Sequence, residues 1–420
     1  MSAPAPRDIA TALLRLRAAG ESLRRRPARE TLELCARALD DWRDPGGELR
    51  RALEKELPSA TGFSPEVVRE GLARGLEPWS GEALLDQVET ELGGADALDG
   101  RGRLLARGFD VTAVVLAGAI PLPTLLDLLA PLVLRSPVLA KPGLHDPVTA
   151  RLAAARLAAL DPGLGRCVEV AAFRREDEDC TAALLEADCV LASGSDETVA
   201  ELAAAVRPAQ RFVGHGHRLS LAALGPAALG AAELAGAARR IALDTALWDQ
   251  LGCLSPTAVW CVGGADEAAR LGKALAEALA DAEARWPRGR VPPEAALRAE
   301  HERAFAEMRG RPLEVDSQAR WTVVCEADAG PRPAPLYRFL RVHPAARLED
   351  LIEGIRPLGP HLACAALDGF GSLTTPLARA LGDLGASRIC RTGEMQAPPL
   401  GWRRDNRGLL EPLARFSDLG

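Results

Sequence analysis

The chain has 420 residues, 48% apolar, 26% charged and only 4% aromatic, with a formal net charge of −7. That length exceeds what one core usually supports, so two or three domains are expected, and the apolar and charged fractions exclude wholesale disorder. Acidic and basic residues are intermixed with no basic domain or polybasic tail, so nucleic acid is not expected as a partner.

The first ten residues have neither a charged n-region nor an apolar h-region, so no secretory signal is expected and a cytoplasmic location is. Residues 1–95 read as an N-terminal helical region. Apolar positions recur at helical spacing in TALLRLRAAGESLRRR and TLELCARALDDW, and Ser64-Pro65-Glu66 looks like a helix start with Pro at its first position. From residue 110 short apolar runs alternate with helical segments. Strands are expected at 111–116, 138–140, 167–172, 189–192, 211–213 and 219–224, and helices at 148–160 and 196–206. This alternation predicts a parallel α/β sheet of nucleotide-binding type, in a domain spanning 96–252. The longest apolar stretch, 111–134, is interrupted by Asp127 and by Pro121, Pro123 and Pro131. It therefore predicts a strand, a Pro-rich turn and a buried helix, and no membrane span. A second α/β domain, 253–392, has expected strands at 257–262, 322–326, 337–342 and 364–367 and helices at 265–284 and 348–355. Segment 393–420 reads as irregular and Pro-rich, ending in a short helix.

Nine cysteines are scattered singly with no C-x-x-C pair, which supports neither a disulfide framework nor a structural zinc site. His215 and His217 form an H-x-H pair, but no nearby Cys or carboxylate completes a metal set, so no metal is expected. The chain lacks a G-x-G-x-x-G opening a helix, a G-x-x-x-x-G-K-[ST] and a G-x-S-x-G. A doubly wound sheet without a Gly-rich phosphate loop must hold a dinucleotide, if it holds one, by other means.

The most informative segment is DQLGCLSP, residues 249–256. Cys253 follows a Gly and precedes a Pro-started strand, so its backbone N–H can face a cleft. A thiol there can attack a thioester carbonyl while that N–H helps hold the developing oxyanion. Read alone, Cys253 is equally a buried packing cysteine like its eight counterparts.

The whole chain carries more. WDQLGCLSP (248–256), GSDETV (194–199), VGHGHRLS (213–220), GEMQAPPLGWRRD (393–405) and LPSATGFSPEVVREGL (57–72) resemble, in the same order, segments of the LuxC-type acyl-CoA reductases, the fatty-acyl reductase branch of the aldehyde dehydrogenase superfamily. The resemblance runs from about residue 20 to the end. It implies two parallel-sheet α/β domains, dinucleotide-binding and catalytic, behind an N-terminal helical region. It also implies reduction of an acyl-CoA or carrier-bound thioester to the aldehyde through an acyl-S-Cys253 intermediate.

Site residues follow from the same resemblance. Lys141-Pro142, ending a strand, would reach the adenosine ribose, and Lys141 is one of only three Lys against 48 Arg. Gly118 would also line the cofactor. Gly194-Ser195, before a helix, would let the helix N-terminus approach a pyrophosphate, unless Ser195 is an ordinary N-cap. His217 would handle the proton of the thiohemiacetal, where hydrolytic relatives carry a water-activating Glu. The implied cofactor is NADPH, with NADH as the alternative. An acyl-transferase or synthetase partner and a homo-oligomer are open expectations. Two departures stand out. Ala119 occupies the place of the Asn that usually completes the oxyanion hole, and the Glu that usually clamps the nicotinamide ribose is not evident near PRPAPLY. The rival readings are a CoA-acylating aldehyde dehydrogenase working oxidatively, or an acyl-binding protein impaired at Ala119.

Overall fold

Residues 4–419 are described by a computed structural model of the chain. The first part is helical as its periodicity predicts: α1 (Pro6–Arg24), α2 (Ala28–Arg43), α3 (Glu48–Thr61), α4 (Pro65–Leu76), α5 (Gly81–Leu92) and α6 (Ala95–Asp99). The expected start at Ser64-Pro65 is a capped one, with Ser64 Oγ accepting from the Val67 N–H at 3.2 Å. These helices do not form a core of their own. Ile9, Leu13 and Leu16 of α1 bury against Val111, Ala113 and Leu139 on one face of the first sheet. Leucines of α2–α5 join the main core together with the helix after the second strand.

Fourteen strands follow in chain order among the described residues: β1 (Leu104–Arg107), β2 (Thr112–Val115), β3 (Val138–Lys141), β4 (Val168–Val170), β5 (Cys189–Ser193), β6 (Arg211–His215), β7 (Leu219–Leu224), β8 (Pro256–Val262), β9 (Leu313–Val315), β10 (Thr322–Cys325), β11 (Phe339–Ala345), β12 (Leu362–Asp368), β13 (Arg388–Cys390) and β14 (Arg415–Asp418). Helix α7 (Pro121–Val133) links β2 to β3. Pro121 starts this helix, where no N–H is needed, and Pro123 also lies in its first turn, so the prolines expected to make a turn begin a buried helix instead.

The first sheet has the order β4-β3-β2-β5-β6 and is parallel throughout. The chain leaves its middle strand β2 in one direction for β3 and β4, and returns to β5 on the other side. The crevice at the carboxyl ends of β2 and β5 is therefore the topological switch point, where open α/β sheets bind ligands. The second sheet has the order β13-β12-β7-β8-β11-β10-β9, parallel except for β9 against β10.

Strand β7 corrects the expected domain boundary. The sequence places it in the first domain, 96–252, but it pairs with β8 and β12 in the second sheet. Only residues 216–218 separate it from β6. A parallel return to the same sheet needs a crossover of a dozen or more residues, so β7 has to enter another sheet. The chain end differs too. Instead of a short helix, β14 pairs antiparallel with β1, Leu104 opposite Asp418 and Arg107 opposite Arg415. All four β14 residues are exposed, so no apolar alternation announces this strand. No helix among the described residues is long and apolar enough to cross a membrane.

Candidate active site

Cys253 sits in the turn that leads into β8, and the preceding residues explain its placement. Trp248, Asp249 and Gln250 all have left-handed backbone, with φ of 55°, 48° and 66°. Each non-glycine residue in this region costs about 1–2 kcal/mol, so the turn must be held from outside. Arg338, fully buried, donates to Asp249 Oδ1 at 2.7 Å and to Glu283 Oε2 at 2.7 Å. The Gln250 amide donates to the carbonyls of Pro256 (2.7 Å) and Phe339 (3.0 Å), and its oxygen accepts the Phe339 N–H at 2.9 Å. The Trp248 ring packs on Phe63 and lies so close to α4 that a Cβ on Gly71 would come within 2.4 Å of it.

On the far side of the thiol, Ser220 Oγ of β7 donates to the Cys253 carbonyl at 2.7 Å. Gln396 Nε2 donates to Ser255 Oγ at 3.0 Å and to the Asp244 carbonyl at 2.9 Å. The Gly393 and Met395 N–H groups donate to the Asp244 carboxylate at 2.6 and 3.2 Å. The motif containing Gly393 thus braces the cysteine turn from the chain's last segment.

Two cavities meet at this thiol. One is a cleft of about 590 Å³ at the switch point of the first sheet. Gly118 and Ala119 after β2, Ser193 ending β5 and Gly194 after it, both His215 and His217, and the turn from Gln250 to Cys253 line it. The other is a narrow apolar pocket of about 100 Å³, walled mainly by Trp79, Leu122, Leu126, Leu400, Trp402 and Leu413. Six residues line both: Ile120, Pro123, Asp127, His215, Cys253 and Arg404. Segment 398–413 forms much of the pocket wall and is pinned by the N-terminal helices. Trp79 Nε1 donates to the Pro398 carbonyl at 3.0 Å, and Glu91 of α5 accepts from the N–H groups of Leu409 (2.8 Å), Leu410 (2.7 Å) and Glu411 (2.7 Å).

The polar groups at the junction form two hydrogen-bonded sets, brought together by the neighbouring residues Arg404 and Asp405. His215 Nδ1 lies 2.5 Å from Asp405 Oδ2, and Arg218 Nε donates to Asp405 Oδ1 at 2.6 Å. Arg404 donates to Asp127 Oδ1 at 3.2 Å and to Ser193 Oγ at 3.1 Å. Burial, reinforced by Arg404, pushes the His215 pKa below the usual imidazole value. Burial opposes the Asp405 charge, yet His215, Arg404 and Arg218 hold its carboxyl down to about 2. The pair is therefore a neutral imidazole on a carboxylate, with Nδ1–H donating and Nε2 left to act. Burial also pushes the Cys253 thiol up, against the pull of Arg404 and Arg218, so the sulfur is protonated at neutral pH and needs a base.

His217, expected in the proton role, is exposed in the cleft. Its ring faces His361 with centroids 6.0 Å apart, and its backbone N–H donates to Asp196. The ring with a buried carboxylate behind it belongs to His215, two residues earlier. Sequence reading missed His215, Arg218, Arg404 and Asp405 as a set. The last two stood in GWRRD, inside a quoted motif, but nothing local tied them to a histidine 190 residues earlier.

The residues expected at a cofactor fall at one end of the first sheet. Gly118 has φ +71° and packs against Gly143, where a Cβ would sit 2.9 Å from the Gly143 Cα. Lys141 ends β3, half-buried, its ammonium 5.2 Å from the Phe173 ring, and burial lowers its pKa. Pro142 follows it directly. Gly194 lines the cleft, and Ser195 Oγ accepts the Thr198 N–H as N-cap of the helix Asp196–Ala205. Of these residues Gly118 and Gly194 line the cleft, whereas Lys141, Pro142 and Ser195 stand outside its lining. A switch-point crevice with glycine backbone after β2 and a helix starting just beyond Gly194 fits a dinucleotide. Among the described residues no group of three or more His, Cys, Asp or Glu stands together as a metal site.

A family model described as Acyl-CoA reductase (LuxC) matches residues 23–416. No curated protein matches the chain. Solved structures share its fold at low identity. An oxidoreductase from Marinobacter aquaeolei is 14% identical with a TM-score of 0.77, over 99% of this chain and 90% of that one. A proposed methylmalonate-semialdehyde dehydrogenase from Sinorhizobium meliloti 1021, complexed with NAD, is 14% identical with a TM-score of 0.73 over 99% and 90%. Aldehyde dehydrogenase 21 from Physcomitrella patens is 10% identical with a TM-score of 0.77 over 99% and 91%. The α/β fold read from the sequence is thus that of the aldehyde dehydrogenases.

Proposed function

The chain belongs to the LuxC acyl-CoA reductase family, which reduces an acyl thioester to the aldehyde with NAD(P)H, and from that premise we propose that the reaction here runs through an acyl-Cys253 thioester. The observation that carries this reading is the position of Cys253 at the mouth of two unlike cavities, a cleft suited to a dinucleotide and an apolar pocket suited to an acyl chain.

In this reading the acyl chain lies among Leu122, Leu126, Trp402 and Leu413, with its carbonyl at Cys253 and the CoA or carrier thiol directed to the cleft. His215 Nε2 accepts the thiol proton while Asp405 steadies the imidazolium that forms. The Cys253 S–C bond forms, the carrier C–S bond breaks, and His215 returns the proton to the departing thiolate. NAD(P)H held in the cleft would supply the hydride, giving the thiohemiacetal alkoxide on Cys253. Collapse of that adduct re-forms C=O, breaks the Cys253 S–C bond and releases the aldehyde, and the Cys253 thiolate takes up a solvent proton through His215. The apolar lining around the thiol keeps water from the acyl-enzyme, in keeping with the Gly and His residues where hydrolytic relatives carry a Glu.

Lys141, Pro142, Gly118, Gly194 and Ser195 are the proposed cofactor contacts. NADPH is the proposed reductant and the cytoplasm the proposed location, both resting on the sequence reading. The substrate is a medium or long acyl thioester, with an acyl-transferase or synthetase as its source. The test is incubation with an acyl-CoA and NADPH, comparing the chain with Cys253→Ala. Acyl adduct and NADPH oxidation should both vanish in the variant; equal NADPH oxidation by the two forms refutes the assignment.

A further inference from the structure

Loss of the oxyanion Asn at Ala119 leaves a gap in the proposed chemistry. One donor of that kind is worth about 10²–10³ in rate. Three arginines line the cleft: Arg218, Arg332 and Arg404. Two of them stay on the cleft side: Arg218, bonded to Asp405 and to the His217 carbonyl at 2.8 Å, and Arg332, bonded to Asp328 and Glu326 at 2.8 and 3.4 Å. Arg404 alone of the three also lines the apolar pocket beside Cys253.

Its guanidinium is aimed by two fixed acceptors. Asp127, the charge that interrupts the apolar run of α7, holds Nη1, and Ser193 at the end of β5 holds Nη2. Asp127 and Ser193 are themselves buried, so the fork is set by the first sheet and its covering helix. A guanidinium has five N–H donors, and these two bonds use two of them. Arg404 lines both cavities together with Cys253 and His215, and Ala119 lines the cleft.

We propose that Arg404 is a catalytic residue that donates to the thioester oxygen, taking over the task of the missing Asn together with the Cys253 backbone N–H. The proposal rests on the acyl-Cys253 reading. As the sulfur–carbon bond forms, the carbonyl π pair moves to oxygen, and Arg404 holds that O⁻. When the carrier C–S bond breaks, the pair returns to re-form C=O and the thiolate takes the proton from His215. The same donor meets the alkoxide of the thiohemiacetal. The Arg404 charge also draws the thiol pKa down against burial, in keeping with the two residues lining the same junction.

Two reactions of the same thiol separate the roles. Acyl transfer from an acyl-CoA builds an oxyanion, whereas alkylation by iodoacetamide builds none at the sulfur-bound carbon. Both rates are followed by intact mass against pH, without reductant, in the wild type, Arg404→Met and Arg404→Lys. Arg404→Met should lower the limiting acyl-transfer rate at high pH about 10²–10³-fold and leave the limiting alkylation rate unchanged. Arg404→Lys, which keeps the charge beside Asp127 and is the safer variant for folding, should fall between. An unchanged acyl-transfer plateau in both variants overturns the proposal. So does a parallel fall of acyl transfer and alkylation, which marks a merely structural arginine. A wild type that takes up iodoacetamide at Cys253 but no acyl group defeats the acyl-enzyme reading itself, and is told apart by that control.

Discussion

The two cavities that share Cys253 are built on opposite plans. The cleft is centred on the ends of neighbouring strands β2 and β5, whose place follows from sheet topology, and is completed by the link 216–218 and the turn from Gln250 to Cys253. The pocket has no such plan. Its walls come from the end of the N-terminal helices, from α7 and from segment 398–413, brought together by Trp79 and Glu91. In the proposed reading, strand order positions the cofactor side of the site, while the acyl side is walled largely by segments from distant parts of the chain. The largest way to break the comparison is to remove what the two share. Cys253→Ala should abolish acyl adduct and reduction together, beyond detection, in a mass and NADPH-oxidation assay. Cys→Ala at buried Cys35 or Cys180 should leave both intact.

Next comes the shared acid–base group. His215→Asn should cost about 10²–10⁴ in kcat/KM, against less than tenfold for His217→Asn. The signs of the pKa shifts set the pH dependence. His215 is depressed below 6.5, so it stays a free base, and activity should hold as pH falls to 6.5 and fail only below it. The Cys253 thiol is raised, so its alkylation in His215→Asn should climb only above pH 9. A wild-type acid limb at or above 6.5 in the kcat/KM profile would contradict the dyad.

Smaller changes should split the two cavities. Leu126→Trp fills the pocket and should weaken long acyl substrates about fourfold for each methylene it displaces, at roughly 0.8 kcal/mol per group, with NAD(P)H affinity unchanged. Gly118→Ala works the other way. Its positive φ and its contact with Gly143 predict roughly tenfold weaker cofactor binding, read by fluorescence titration, with acyl transfer to Cys253 preserved. Smallest in catalytic terms is Gly71→Ala. Its Cβ would meet the Trp248 ring, lowering stability by about 1–3 kcal/mol in denaturant unfolding and slowing alkylation of Cys253 only modestly.

This division also governs what the sequence disclosed. The strands of the first sheet, Cys253 and the Gly194-Ser195 turn lie in short contiguous patterns, where period and turn chemistry are local. Strand β7 was visible as a strand but not as a member of the second sheet, because its address depends on the length of the link before it. Strand β14, wholly exposed, had no apolar pattern to betray it. His215 and Asp405 could be joined only by the fold, and of two histidines in one motif the sequence offered no means to say which ring would be buried. The N-terminal helices looked free of chemistry, since Trp79 and Glu91 act through backbone groups more than 300 residues away.

The link of residues 216–218 has a mechanical consequence. His215 ends the last strand of the first sheet and Arg218 adjoins the first strand to enter the second, and a single carboxylate, Asp405, is bonded to both. Asp405 therefore ties the end of one sheet to the start of the other. A single substitution at this carboxylate would remove the His215 Nδ1 partner and the Arg218 tether together.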